Sequence, residues 1–434
     1  MCDAQSRCEI FKEIMLAVPE GGLLQRRRGT NLPKMGDFNQ AVILDSIRRA
    51  SDGLSRVELA GSAGLAAQTV SNICRRLLNA DLIMEAGKET SGPGKPRTIL
   101  RLNPQGLYAI GVHIDPALTS FALVDAVGTV LESKEMTTDL ASPPAVAIAA
   151  MGAEIRAMIA RSGVDELRIA GVGVATPGPV DTVRGMVVDP PHMPGWTRVP
   201  LREILHETTG LPVVMDKDVT ASAVAELWIG SSSAANFIYI YIGTGIGSGL
   251  VIDDQVVRGA SGNVGEIGHI IVDPDGPECD CGRRGCIKVT CMPETLVAEA
   301  RMLGVLAPVD PLNPPSLPQD VSDLAAAAAN GDSTAAGILS RSAYRMASAA
   351  SVLSNFLDVE RVVFGGPFWP ALAPTYLAQV PELLTRFSVT TNVHSVDVVG
   401  TLVNSGEEAF GAACLVMEKA FSPNAAQLLL DAKA

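Results

Sequence analysis

The chain lacks the marks of export. Its first residues, Met1-Cys2-Asp3-Ala4, place no apolar stretch behind a basic start, so they do not read as a signal peptide. No uncharged apolar run reaches the ~18 residues that a membrane span needs. A cysteine framework is missing too. Among 8 cysteines in 434 residues, Cys2, Cys8, Cys74, Cys291 and Cys414 are scattered without pattern. Disulfides are not expected in a large chain with no sign of export, and a reducing cytoplasm is the simplest home. Positive charge is in deficit, with 34 Lys+Arg against 47 Asp+Glu and a net charge of −13.

That deficit is uneven. Residues 1–104 carry 15 Lys+Arg against 11 Asp+Glu, and the remainder carries 19 against 36. A basic head on an acidic body suggests that only the head meets a polyanion. The length allows two or three domains, and a hydrophobic content of 47% is enough for large cores.

The remaining three cysteines are grouped. His269, Cys279, Cys281 and Cys286 are four soft ligands within 18 residues, with Gly276, Gly282 and Gly285 letting the backbone fold around an ion. This spacing suits tetrahedral Zn²⁺. The competing reading is a disulfide or plain buried cysteines, but Cys-x-Cys is too close for an easy bridge. Four protein ligands leave no open position, so the ion is expected to be structural.

In the basic head, residues 38–50 put Val42, Ile43 and Ile47 at helical spacing. Ser55-Arg56-Val57-Glu58 is a capping box opening a short helix that ends near Gly64. A tight turn leads into a helix over 67–79, with Val70, Ile73, Leu77 and Leu78 on its buried face. Gln68, Thr69, Ser71, Asn72 and Arg75 lie elsewhere on it, beside Arg76. Strands over 82–86 and 98–103 flank a Gly/Pro loop with Lys88, Lys95 and Arg97. The pattern predicts a winged helix-turn-helix. Gln and Asn suit adenine edges, Ser, Thr and Arg suit phosphate or guanine, and the wing tip suits the DNA backbone. A small helical oligomerisation module is the alternative. Arg26-Arg27-Arg28 reads equally as a phosphate contact or a solvated arm.

From Leu107 apolar strands alternate with helices, which predicts α/β layers around a buried sheet. Strands are expected over 109–114, 121–125, 129–132, 167–175, 213–216, 237–242, 249–252 and 361–364, and a helix over 145–162. Residues 180–196 read as a loop over a cleft, and 307–319 as an irregular Pro-rich segment. Gly243-Thr-Gly-Ile-Gly-Ser-Gly249 joins two strands; its glycines suit phosphate or simply a tight turn.

GVGVATPGPVD (171–181), DKDVTASAVAE (216–226), IGTGIGSG (242–249), GNVGEIGH (262–269) and GPECDCGRRGC (276–286) fall in the order seen in the ROK family (repressors, open reading frames, kinases), which this chain resembles from about Asn39 to Leu415. The His/Cys₃ block is the specific part. With a winged head in front, the chain is similar to the family's repressor branch, typified by xylose and N-acetylglucosamine repressors. The resemblance implies an N-terminal arm (1–35), a winged helix-turn-helix (36–104), two actin-like ATPase/sugar-kinase lobes (105–225 and 226–420, the second with the zinc loop) and a tail (421–434). A sugar cleft would lie between the lobes.

Against the family pattern several positions are altered. The Asp-x-Gly-Gly-Thr phosphate loop is matched by Asp115-Pro116-Ala117-Leu118-Thr119, with both glycines gone. A Cβ and a ring there should obstruct the approach of phosphate to backbone, so ATP-Mg²⁺ is not expected as a cofactor. Asp218 matches the catalytic base and is taken as vestigial, because Lys217 replaces the preceding Asn and would weaken a base. The family's sugar contacts imply Glu266 and His269. They also imply an Asn now matched by His192 before Gly195-Trp196, and a Glu now replaced by Lys288. The expectation is a cytoplasmic homodimeric or tetrameric DNA-binding regulator, a repressor, sensing a sugar through His192, Lys217, Asp218, Glu266, His269 and Lys288. A neutral sugar ranks ahead of an anionic one. The alternatives are an active ATP-dependent sugar kinase with a DNA-binding head, and a regulator controlled by a partner protein without a small ligand.

Overall fold

The computed structural model describes residues 32–89, 96–230, 234–309, 315–403 and 408–423. Lys95, Arg26-Arg27-Arg28 and most of the expected tail lie outside these.

The head begins with helix α1 (Leu32–Arg49), six residues before the expected start. Gly36 inside it, a weak helix former, masked that first turn. Next come β1 (Leu54–Ser55), α2 (Arg56–Ala63), α3 (Ala67–Asn79), β2 (Ile83–Glu89) and β3 (Arg97–Leu102). The capping box is complete: Glu58 N–H donates to Ser55 Oγ at 3.4 Å, and Ser55 N–H donates to the Glu58 carboxylate at 2.8 Å. Gly64 ends α2 in the left-handed conformation. Only three residues separate α2 from α3, whose buried face is Val70, Ile73, Cys74 and Leu77. Ile43, Leu44, Ile47 and Leu59 are buried as well. The three strands pair antiparallel in the order β1-β3-β2. The β2/β3 ladder shifts register at Gly87, so Gly87 and Lys88 lie in the strand and not in the expected loop.

The body continues with β4 (Tyr108–Ile114), β5 (Leu118–Asp125), β6 (Val130–Thr137), α4 (Pro144–Ser162), β7 (Ile169–Thr176), β8 (Val180–Asp181), β9 (Met186–Val187), α5 (Leu201–Thr209), β10 (Val213–Lys217) and α6 (Asp218–Ile229). After these come β11 (Phe237–Ile242), β12 (Ile246–Ile252), β13 (Gln255–Val256), α7 (Ile287–Thr290), α8 (Pro293–Met302), α9 (Leu317–Ala329), α10 (Ser333–Leu357), β14 (Arg361–Gly365), α11 (Trp369–Phe387), β15 (Asp397–Gly400) and α12 (Glu408–Phe421).

Two compact units result. The first runs to Asp218 and takes in the C-terminal helix from Ala409; the second is Val219–Glu408. The division thus falls before the expected 225/226 boundary, and α12 groups with the first unit. Glycines account for that return. A Cβ on Gly111 of β4 would lie 1.8 Å from Ala409 O, and one on Gly173 of β7 equally close to Ala412 O. Only bare backbone lets α12 sit directly on those strands.

The first unit's sheet has the order β10-β7-β4-β5-β6. β10, β7 and β4 run parallel, while β5 and β6 form antiparallel hairpins on β4. Ile110, Val112, Val172 and Val174 pack against Ile148, Met151, Ile155 and Met158 of α4. The second sheet is β13-β12-β11-β14-β15, with Ile238, Ile240, Val362 and Phe364 against α10 and α11. Its other face holds Tyr239 and Tyr241 against Val219 and Ala223 of α6. The short strands β13 and β15 were not foreseen; Asp397 and Gly400 weaken the strand signal of β15. Among the described residues no helix is long and apolar enough to cross a membrane.

Candidate functional site

In open α/β sheets, ligands bind outside the carboxyl ends of the parallel strands. In the first unit that edge carries the Asp115–Leu118 turn after β4, Thr176 ending β7, and Lys217-Asp218 at the junction of β10 and α6. Lys217 and Asp218 therefore lie on the same edge as the Asp115–Leu118 turn, with the end of β7 between them. Asp216 and Lys217 are buried, and Lys217 N–H donates to the Asp216 carboxylate at 2.9 Å. His192 lies on the loop after β9, exposed, with φ of 61°. Asn and His are both enriched in this left-handed region, so the exchange at this position fits the backbone.

The Asp115–Leu118 turn is closed on itself. Asp115 N–H donates to Leu118 O at 3.0 Å, and Ala117 N–H donates to the Asp115 carboxylate at 2.9 Å. Pro116 has no N–H. Thr138 fastens the turn from behind, its N–H on Ala117 O at 3.2 Å and its hydroxyl on Asp115 O at 2.7 Å. Among residues 115–117 the N–H groups of Asp115 and Ala117 are thus both engaged.

The second unit holds Glu266, His269, Lys288 and the cysteines. Ile287 N–H donates to Ile270 O and Lys288 N–H to Gly268 O, both at 2.9 Å, which stitches the segment carrying His269 to the one that follows Cys286. Gly285 has φ of 65°, and a Cβ there would lie 1.5 Å from Asp273 O, so glycine is required. The ligand atoms of His269, Cys279, Cys281 and Cys286 all lie within 4.8 Å of one another. Cys279 Sγ is 3.5 Å from His269 Nδ1, and Cys281 Sγ is 3.7 Å from Cys286 Sγ. A tetrahedron with Zn–S bonds of ~2.3 Å has sulfur–sulfur edges of about 3.8 Å. The four residues thus form a cluster that fits a metal ion. Cys279 and Cys286 are buried and Cys281 is exposed. Every described cysteine is a free thiol.

Lys288 is engaged within this loop: its Nζ lies 2.6 Å from the Asp280 carboxylate. Nothing in the spacing of residues 280 and 288 signals this pair in the sequence.

In the head, Gln68, Asn72, Arg75 and Arg76 are exposed on α3. Gln68 Nε2 donates to Asn72 Oδ1 at 3.3 Å, and Ser71 Oγ donates to Ala67 O at 2.8 Å. Thr69 is half-buried. Arg97, at the start of β3, is exposed and 4.0 Å from Glu58.

Two lobes of one topology with a His/Cys₃ loop in the second define the ROK sugar-kinase class, an actin-like α/β fold. The ROK family model matches residues 109–419, and the chain belongs to that family. It is 31% identical to the xylose repressor of Bacillus spizizenii over 249 residues, which is 57% of this chain and 64% of that protein. It is 26% identical to the DNA-binding transcriptional repressor Mlc of Escherichia coli over 344 residues, 76% of this chain and 84% of that protein. The crystal structure of a ROK family transcriptional regulator described as a homolog of the E. coli MLC protein superposes with a TM-score of 0.75 at 23% identity, covering 89% of this chain and 97% of the other. A ROK glucokinase from Streptomyces griseus, bound to glucose and AMPPNP, gives 0.58 at 25% identity, covering 71% and 98%.

Proposed function

We propose that the chain is a cytoplasmic DNA-binding transcriptional regulator, a repressor, that senses a sugar through a kinase-derived body and works as a homodimer or tetramer. The observation that carries this is the head: α2, a three-residue turn, α3 with an exposed polar face, and the β2/β3 hairpin beside it. This arrangement supports the reading of a winged helix-turn-helix. The names of the repressor relatives support the same reading. So does coverage, since the regulator structure matches 89% of the chain and the glucokinase 71%.

Gln68 and Asn72 are the base readers of this reading. Thr69, Ser71, Arg75, Arg97 and Lys95 are its other DNA contacts. The effector residues are His192, Lys217, Asp218, Glu266, His269 and Lys288. Pairing of Lys288 with Asp280 removes one of the two cations that would favour an anionic sugar, so a neutral sugar is the preferred effector. The metal is Zn²⁺, supported by the ligand set and its edge lengths. With Nδ1 toward the metal, His269 keeps Nε2–H for a second partner.

The kinase alternative has support in the glucokinase relatives, one of which is 28% identical over 267 residues. The engaged amide of Ala117 and the ring of Pro116 oppose it. The test is selection of duplexes from a random pool by the full chain, followed by release with neutral sugars, sugar phosphates and ATP-Mg²⁺. An enriched two-fold duplex released by a neutral sugar alone is expected. No enrichment at physiological salt overturns the reading, and steady ADP formation abolished by Asp218→Asn replaces it with the kinase.

A further inference from the structure

One contact between the head and the first lobe centres on Asp81. Asp81 sits in the turn between α3 and β2 with φ of 57°. Its N–H donates to Leu78 O at 3.1 Å, which makes it an extension of the α3 helix end. Its carbonyl accepts from Asn103 Nδ2 at 2.8 Å. Its carboxylate lies 3.1 Å from Arg168 Nη2. Arg168 Nη1 donates to Gln105 O at 2.9 Å, and Arg168 Nε lies 3.5 Å from Asp165. The fixed fork of one guanidinium therefore joins three segments: the end of α3, the head-to-body linker and the lead-in to β7. An ammonium has no such fork.

β7 starts at the next residue, Ile169, and is buried along its whole length. It is paired in parallel on both sides. Tyr108 of β4 is level with Ile169 at one end, and Lys217 of β10 is level with Thr176 at the other. Eight residues of strand span about 26 Å. The Asp81 contact thus lies at the amino edge of the three parallel strands, and Lys217 and Asp218 lie at their carboxyl edge. A close-packed sheet moves as a body and does not deform continuously.

Resting on the regulator reading, we infer that Arg168 is the positioning residue that couples the effector edge of this sheet to the DNA-reading helix, through its grip on Asp81. Coupling is reciprocal, so DNA bound at the head must be felt at the far edge. Arg168→Ala and Arg168→Lys both lose the fork, while Asp81→Asn removes only the charge and tolerates the left-handed backbone.

The experiment is hydrogen exchange on the full chain, with and without a duplex selected by the wild type from a random pool. The readout is exchange in residues 115–118 and 177–185, the loops at the carboxyl edge. In the wild type the duplex should slow or speed that exchange by about fivefold or more. In the Arg168 variants and in Asp81→Asn the duplex should still bind, with the far-edge response cut to less than about twofold. Should Arg168→Ala fail to fold, Asp81→Asn decides. A far-edge response unchanged in the folded variants, or absent from the wild type, overturns the coupling while leaving the regulator reading intact. Failure to select any duplex overturns the regulator reading and takes this inference with it.

Discussion

The two units carry the same sheet. β6-β5-β4-β7-β10 in the first and β13-β12-β11-β14-β15 in the second share strand order and the same change from antiparallel to parallel pairing. Each sheet places a tight hairpin after its first parallel strand, and there the likeness stops. The β4/β5 turn holds Pro116, which has no N–H, and Ala117, whose N–H is taken by Asp115. The β11/β12 turn is Gly243-Thr244-Gly245, and a Cβ on Gly245 would meet nothing. Topology follows from the apolar strands and survives a change of turn. Ligand chemistry resides in the turns and does not.

The largest expected effect tests whether the second unit's special loop is also its structural anchor. Cys286→Ser, or a strong chelator, should remove about one zinc ion per chain and lower stability by several kcal/mol. Sugar response should disappear with it, because Glu266 and His269 ride on the same stitched segment. Elemental analysis with thermal unfolding checks this, and a metal-free chain that melts like the wild type would reduce the loop to decoration.

Next in size is the head. Gln68→Ala and Asn72→Ala should each lose about 1–3 kcal/mol of discrimination between the selected duplex and a scrambled one. Arg97→Ala should weaken both duplexes alike and flatten the salt slope by about one unit. Equal loss on both duplexes from all three changes would leave the head as a plain polyanion binder.

Much of this was legible because local rules and tertiary packing agree. The α3 bounds, the complete capping box, the apolar strands β4, β7 and β11 and the grouping of His269 with three cysteines each follow from a short window. What was not legible depends on partners far away in sequence. Nothing near Gly111 or Gly173 announces that α12 returns to cover them. Gly87 looked like a loop residue because a bulge cannot be told from a turn until its partner strand is known. The Lys288–Asp280 and Arg168–Asp81 pairs are tertiary events with no periodic signal.

A smaller effect concerns how each unit uses a carboxylate to hold a loop. In the first unit Asp115 does so while partly exposed. In the second, Glu226 is buried and accepts from Thr401 Oγ1 at 2.8 Å and Leu402 N–H at 3.0 Å. Burial raises the Glu226 pKa above its ordinary 4.5, and those two hydrogen bonds offset only part of the rise. A carboxyl whose folded pKa is raised contributes stability that is present below its unfolded pKa and lost as pH rises through the folded value. Glu226→Gln removes that titration. Its stability relative to wild type should therefore improve steadily as pH climbs from 4.5, measured by denaturant midpoints. A difference that is flat with pH would show that Glu226 is not held against its charge.

The smallest expected effect comes from making the first turn resemble the second. Pro116→Gly with Ala117→Gly removes the ring and the Cβ but leaves Asp115 in place to accept the N–H of residue 117. Thr138 would still fasten the turn from behind. Added glycines loosen the unfolded chain, so stability should fall by about 0.4–1 kcal/mol per site. ATP turnover should stay at background, since Lys217 still adjoins Asp218 and the amide is still engaged. A coupled ADP-release assay over a panel of neutral sugars, beside a nucleotide-binding titration, measures both properties. Turnover in the double-glycine chain would mean that opening the backbone at residues 116 and 117 is enough, even with Leu118 still standing where the family pattern has its second glycine.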